Sequence, residues 1–180
     1  MTDIVLLNEL KKYIEDKTKN IILDVRPLEN EHPIGYEPSE EEKQQNNETV
    51  LRRALEVHLM GLPSKDKEKN YVPYIIAQFL TGDDTQAAGE EPDSTSKIRL
   101  IVCTYSDNDS KGAYDVLNIL SSLRIELLKE RWIGEQFALK LPLEYMVYPS
   151  EWVSSPYFAG EMILIFEKPP ITQEVDYGYF

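Results

Sequence analysis

Residues 98–131, IRLIVCTYSDNDSKGAYDVLNILSSLRIELLKER, carry the switch of period on which the fold turns. Ile98, Leu100, Ile101, Val102 and Cys103 form a short β-branched run that ends at Tyr105, which predicts a strand. Asp107, Asn108, Asp109, Ser110 and Gly112 then make a turn, after which Val116, Ile119, Leu120, Leu123, Leu127 and Leu128 recur at helical spacing through to about Arg131. A helix of that length spans roughly 27 Å at 1.5 Å per residue, enough to cross a whole sheet face. Gly134 is expected to end it.

Outward from this unit, strands are predicted on both sides. Residues 71–80 form a run with Pro73 near its start, and residues 21–27 a shorter one closed by Pro27. Between residues 50 and 62, Leu51, Ala54, Leu55 and Leu59 suit a helix, whereas Leu55, Val57 and Leu59 alternate as in a strand. A strand over 54–60 is the expectation. Two strands finish the chain: 137–148, interrupted at Pro142, and 158–166, in which Met162, Leu164 and Phe166 alternate against Ile163 and Ile165. Near the start, Thr2 can cap a helix running to about Lys17, with Leu6, Leu7, Leu10, Tyr13 and Ile14 on its apolar side. The sum is an α+β fold: a single two-layer domain over 1–171, with a mixed, mainly antiparallel sheet packed by an N-terminal helix and the long central helix. Residues 29–49 are polar and acidic and read as an exposed arm, 82–96 as an acidic hairpin loop, and 172–180 as a tail.

Composition narrows function. With 180 residues, 42% of them hydrophobic, the chain can bury one substantial core. Its 32 acidic against 19 basic residues give a net charge of -13, which opposes a phosphate backbone or an anionic membrane and argues against specific nucleic-acid binding. Cys103 is the single cysteine and can form no internal disulfide. The start Met1-Thr2-Asp3-Ile4 lacks the features of a signal peptide and no apolar run reaches membrane-spanning length, so a soluble protein made in a cytoplasm is expected.

Candidates for chemistry are sparse. His32 and His58 have no neighbouring motif, and Cys103 lies inside an apolar strand rather than an electropositive pocket. The cluster Asp107-Asn108-Asp109-Ser110 lacks the spaced ligands of a calcium loop and serves as a turn and helix cap. No phosphate-binding glycine loop occurs. No catalytic residue, metal site or cofactor is therefore predicted.

An order of features does stand out: the strand ending Tyr105-Ser106-Asp107, the glycine-bearing turn and helix Gly112-Ala113-Tyr114-Asp115-Val116-Leu117-Asn118-Ile119-Leu120, the strand Phe137-Ala138-Leu139-Lys140-Leu141-Pro142-Leu143-Glu144-Tyr145, and Ser155-Pro156-Tyr157-Phe158-Ala159-Gly160-Glu161-Met162 leading to Glu167-Lys168-Pro169-Pro170-Ile171. In this order residues 98–171 resemble the tail terminator proteins of long-tailed bacteriophages and the tail-completion proteins related to them. Pro156, Tyr157, Phe158 and Gly160 are the most specific part, and each also has a structural use: fixing the strand's start, supplying buried area, permitting close backbone approach. The resemblance implies a non-enzymatic virion subunit in the tail or neck. It would form a ring, expected to hold six copies, that caps the tube of major tail proteins, stops its polymerisation and meets the head-completion proteins, with DNA passing through. Asp83, Asp84, Glu90, Glu91 and Asp93 would then face the channel and repel the genome. Alternatives are another neck subunit (tail completion or head closure), a cytosolic enzyme of unknown type, or a binding module.

Overall fold

The computed structural model describes residues 3–25, 52–63, 72–86 and 92–169. In chain order these form α1 (Asp3–Thr18), β1 (Ile22–Asp24), β2 (Arg52–Ala54), β3 (Glu56–Leu59), β4 (Tyr74–Thr85), β5 (Asp93–Tyr105), α2 (Asp109–Glu130), β6 (Trp132–Ile133), β7 (Phe137–Val147) and β8 (Tyr157–Glu167). The main sheet runs β3-β4-β5-β8-β7-β6; only β3 and β4 are parallel, and β1 with β2 makes a separate antiparallel pair. Both helices lie on one face. The α+β, two-layer expectation with a mixed, mainly antiparallel sheet is what the chain adopts.

The period-2 pattern sets that face. Ile75 and Ala77 of β4, Ile98, Leu100 and Val102 of β5, and Met162, Leu164 and Phe166 of β8 are fully buried beneath the helices. Val116, Ile119, Leu120, Leu123 and Leu127 descend from α2, and Leu6, Leu7, Leu10 and Ile14 from α1, into the same core. The opposite face, with Ile76, Ile101, Ile163 and Ile165, is half-buried and carries no helix among the described residues.

Several boundaries differ from those expected, each for a physical reason. The 54–60 strand is two strands: at Leu55, which drops into the core, the chain passes from pairing with β1 to pairing with β4. The acidic loop 82–96 is largely strand, because β4 and β5 stay paired out to Thr85↔Asp93. Ser94 and Ser96 on this extension are buried, and their hydroxyls donate to the carboxylates of Asp84 and Asp3, so a polar ladder continues where apolar side chains stop. Helix α2 ends at Arg131 rather than Gly134: Arg131 takes a left-handed conformation (φ 56°) and its N–H donates to the Leu127 carbonyl. Gly134 (φ 58°) and Glu135 (φ 61°) instead make the tight turn between β6 and β7, with Gln136 N donating to Ile133 O at 3.4 Å. Pro142 interrupts the β7 ladder as expected, at the register shift between Lys140 and Glu144. The arm 29–49 and the segment 172–180 lie outside the described residues.

Candidate functional site

Phe158 and Gly160 lie beneath the first turns of α2, while Pro156 and Tyr157 open the same strand, Tyr157 on its other face with Tyr74, Cys103 and Tyr105. A side-chain carbon on Gly160 would stand 2.6 Å from the Met146 carbonyl oxygen, 2.8 Å from Val116 and 3.0 Å from Leu120, so only glycine lets α2 settle on the sheet where β8 runs beside β7. Phe158 fills the complementary gap on the helix: a Cβ on Gly112 would fall 2.1 Å from its ring. The Pro156 carbonyl accepts from Ser106 N at 3.0 Å, and Tyr157 meets Tyr105 edge to face at 6.0 Å between centroids. Asn108 caps α2, its side-chain oxygen accepting from Lys111 N at 3.0 Å.

Beside this seat, α2 and the β7–β8 connection enclose an open crevice of about 420 Å³, lined by Asp109, Ala113, Tyr148, Val153, Ser155 and Phe158 among others. The Ser155 hydroxyl donates to Asp109 at 3.1 Å, and the Tyr148 hydroxyl to Glu161 at 2.8 Å. Burial and the Glu161 carboxylate push Tyr148 up to about 12, so it stays a neutral donor at physiological pH. The polar side chains lining the crevice are Asp109, Tyr148, Ser150, Ser155 and Tyr157, with no histidine, cysteine or lysine among them.

The described acidic residues of this segment are held by different partners. Asp84 accepts from Ser94 and lies 3.9 Å from the ammonium of Lys168, a buried lysine that also meets Asp3 at 3.1 Å. Asp93 is engaged by Lys140 at 2.9 Å. Asp83 sits exposed on β4, paired in register with Thr95, and Glu90 and Glu91 lie outside the described residues. Two of the five carboxylates expected to face a channel are thus tied to lysines by the strand extension, a geometry that long-range pairs such as 84 with 168 hide from the sequence.

Other titratable groups are built into packing. Burial pushes the Cys103 thiol up, and Tyr74, itself raised by burial, contacts it. His58 lies 3.5 Å from Glu56 with its ring edge-on to Tyr74. No cluster of three or more potential metal ligands occurs among the described residues.

The feature that sequence reasoning missed is an exposed apolar flank. Tyr114, Leu117 and Ile125 are exposed along one side of α2 and Leu141 and Tyr145 on β7, with the Arg124 guanidinium 5.8 Å from the Tyr145 ring centroid, while Met146, paired with Glu161, is exposed on the other face of the sheet. Its signal was present as a second apolar stripe on α2, offset from the core stripe. No protein-family model matches the chain, and no curated protein matches it.

Proposed function

We propose that this chain is a non-enzymatic assembly subunit, a tail terminator of a long-tailed bacteriophage or prophage, which closes into a ring on the end of the tail tube. The carrying observation is the ordered segment 98–171: strand, glycine-bearing turn, long helix, proline-interrupted strand, and a strand begun at Pro156 and left at Pro169-Pro170. Its signature residues Phe158 and Gly160 serve the contact on which the helix-on-sheet unit depends. A sheet with one face free of helices among the described residues, and exposed apolar side chains on α2, supports the same reading, since assembly subunits keep such surfaces for their neighbours. The ring's partners would be further copies of the chain, the major tube protein and the head-completion proteins; virion neck and host cytoplasm would be its two locations. Tail completion and head closure are the neighbouring roles. Mixing the purified chain with tail tubes tests the proposal: electron microscopy should show rings at one tube end and tubes of arrested length, whereas bare ends and continued growth would overturn it.

A further inference from the structure

The crevice between the first turns of α2 and the β7–β8 connection combines aromatic walls with one carboxylate. Tyr148, Tyr157 and Phe158 supply its rings, and Asp109, Ser150 and Ser155 its other polar side chains. Its volume of about 420 Å³ is that of an ordinary ligand site. Beside it stands Trp152, 66% exposed, its ring tilted against that of Tyr148 at 5.7 Å between centroids. The turn carrying this indole is closed by Trp152 N donating to Pro149 O at 2.9 Å, and Tyr157 N donates to Ser154 O at 3.1 Å just after it. An indole left two-thirds in water adds little burial to the fold, yet backbone bonds and a ring contact fix where this one sits.

Charge selects the occupant. The faces of aromatic rings attract cations, and arginine most readily, because its planar guanidinium is weakly hydrated and stacks. Among the described residues the Asp109 side chain is engaged by the Ser155 hydroxyl alone, at 3.1 Å, which fills one of the several acceptor positions of a carboxylate. The Tyr148 hydroxyl is turned to Glu161, so its ring is what the crevice receives. Basic side chains of the surroundings are already matched: Lys111 pairs with Asp24, and Arg99 meets Gln78 and Glu161. A helix start ordinarily suits an anion, but here Asp109 places a carboxylate in the first turn and Asn108 accepts from Lys111 N. A chain of net charge -13 also draws basic partners from a distance. We infer that the crevice receives an arginine side chain of a partner polypeptide, its guanidinium held between the Asp109 carboxylate and the rings of Tyr148 and Trp152. One copy of the chain carries the whole site, so the inference stands apart from the ring reading and holds for a monomer as well.

The test uses the full chain with Trp132→Phe, an exposed position, which leaves Trp152 as the only indole. The acetylated and amidated peptide Gly-Gly-Arg-Gly-Gly, titrated at low ionic strength, should change the Trp152 emission saturably in the millimolar range. Its citrulline counterpart, equal in shape but uncharged, should bind at least about tenfold more weakly, a tenfold change being 1.4 kcal/mol. Asp109→Asn and Tyr148→Leu, in side chains that are exposed and half-buried, should each weaken the arginine peptide several-fold with an unchanged far-ultraviolet circular dichroism spectrum. The citrulline comparison needs neither substitution, so it decides the matter even where one of them disturbs the fold. An emission that never responds would overturn the inference. So would equal binding of the citrulline peptide, or of a leucine peptide, since either would make the crevice a receptor for shape alone, and binding untouched by both substitutions would place the peptide elsewhere.

Discussion

At the scale of single residues, Gly160 lets α2 pack tightly on the sheet, and its role in permitting close approach was legible because a glycine inside a strand pattern has few other uses. Gly160→Ala should lower stability by about 2 kcal/mol in urea unfolding, since the Met146 carbonyl oxygen belongs to a paired strand and cannot yield as a side chain would. An unchanged midpoint would refute the tight approach. The matching contact between Gly112 and Phe158 was not legible, because residues 46 positions apart meet only once α2 folds back over β8. The same holds for Asp3, Ser96 and Lys168. Burial alone would raise the Asp3 carboxyl, but the Ser96 hydroxyl and the Lys168 ammonium more than reverse this and hold it below its ordinary 3.8. A depressed carboxylate contributes stability above its unfolded pKa and loses it as pH falls through the folded one. Asp3→Asn should therefore cost less than about 1 kcal/mol at pH 7, given the part-exposed position, and the gap from the native chain should close as pH drops below 3.8. A gap constant from pH 7 to pH 2.5 would contradict the pairing.

At the scale of elements, the amphipathic helix, the four long strands and the Pro142 break were readable from periodicity, while the ends of β4 and β5 were not. Hydropathy marks where a strand is covered by apolar groups, and here pairing runs on through Asp84, Ser94 and Ser96, the burial of the two serines being offset by their hydrogen bonds to carboxylates. The end of α2 was misplaced because glycine is the usual left-handed cap and Arg131 fills that place, leaving Gly134 to the β6–β7 turn. In that turn Gly134 and Glu135 both have positive φ with an Ile133-to-Gln136 hydrogen bond, the geometry that favours Asn-Gly and Gly-Gly. Glu135→Gly should raise the thermal midpoint, with about 1 kcal/mol of added stability from relieving a left-handed glutamate. A lowered midpoint would mean that the Glu135 side chain supplies something its exposed position does not suggest.

At the scale of the whole molecule, two properties pull against each other. The exposed apolar stripe on α2 favours association, and a net charge of -13 per chain opposes it. Oligomers should therefore hold at lower protein concentration as ionic strength rises from 0.02 M to 0.5 M, because the screening length contracts several-fold over that range. The opposite trend would point to a charge-paired interface in place of an apolar one. The charge was plain from composition, but the flank it competes with was not, since whether Tyr114, Leu117 and Ile125 are covered depends on where α1 packs. The most direct measurement of the central claim is the mass in solution by sedimentation across micromolar concentrations. Ring assembly predicts a discrete species at a fixed multiple of 20.8 kDa, and a single 20.8 kDa monomer at every concentration and salt would contradict it.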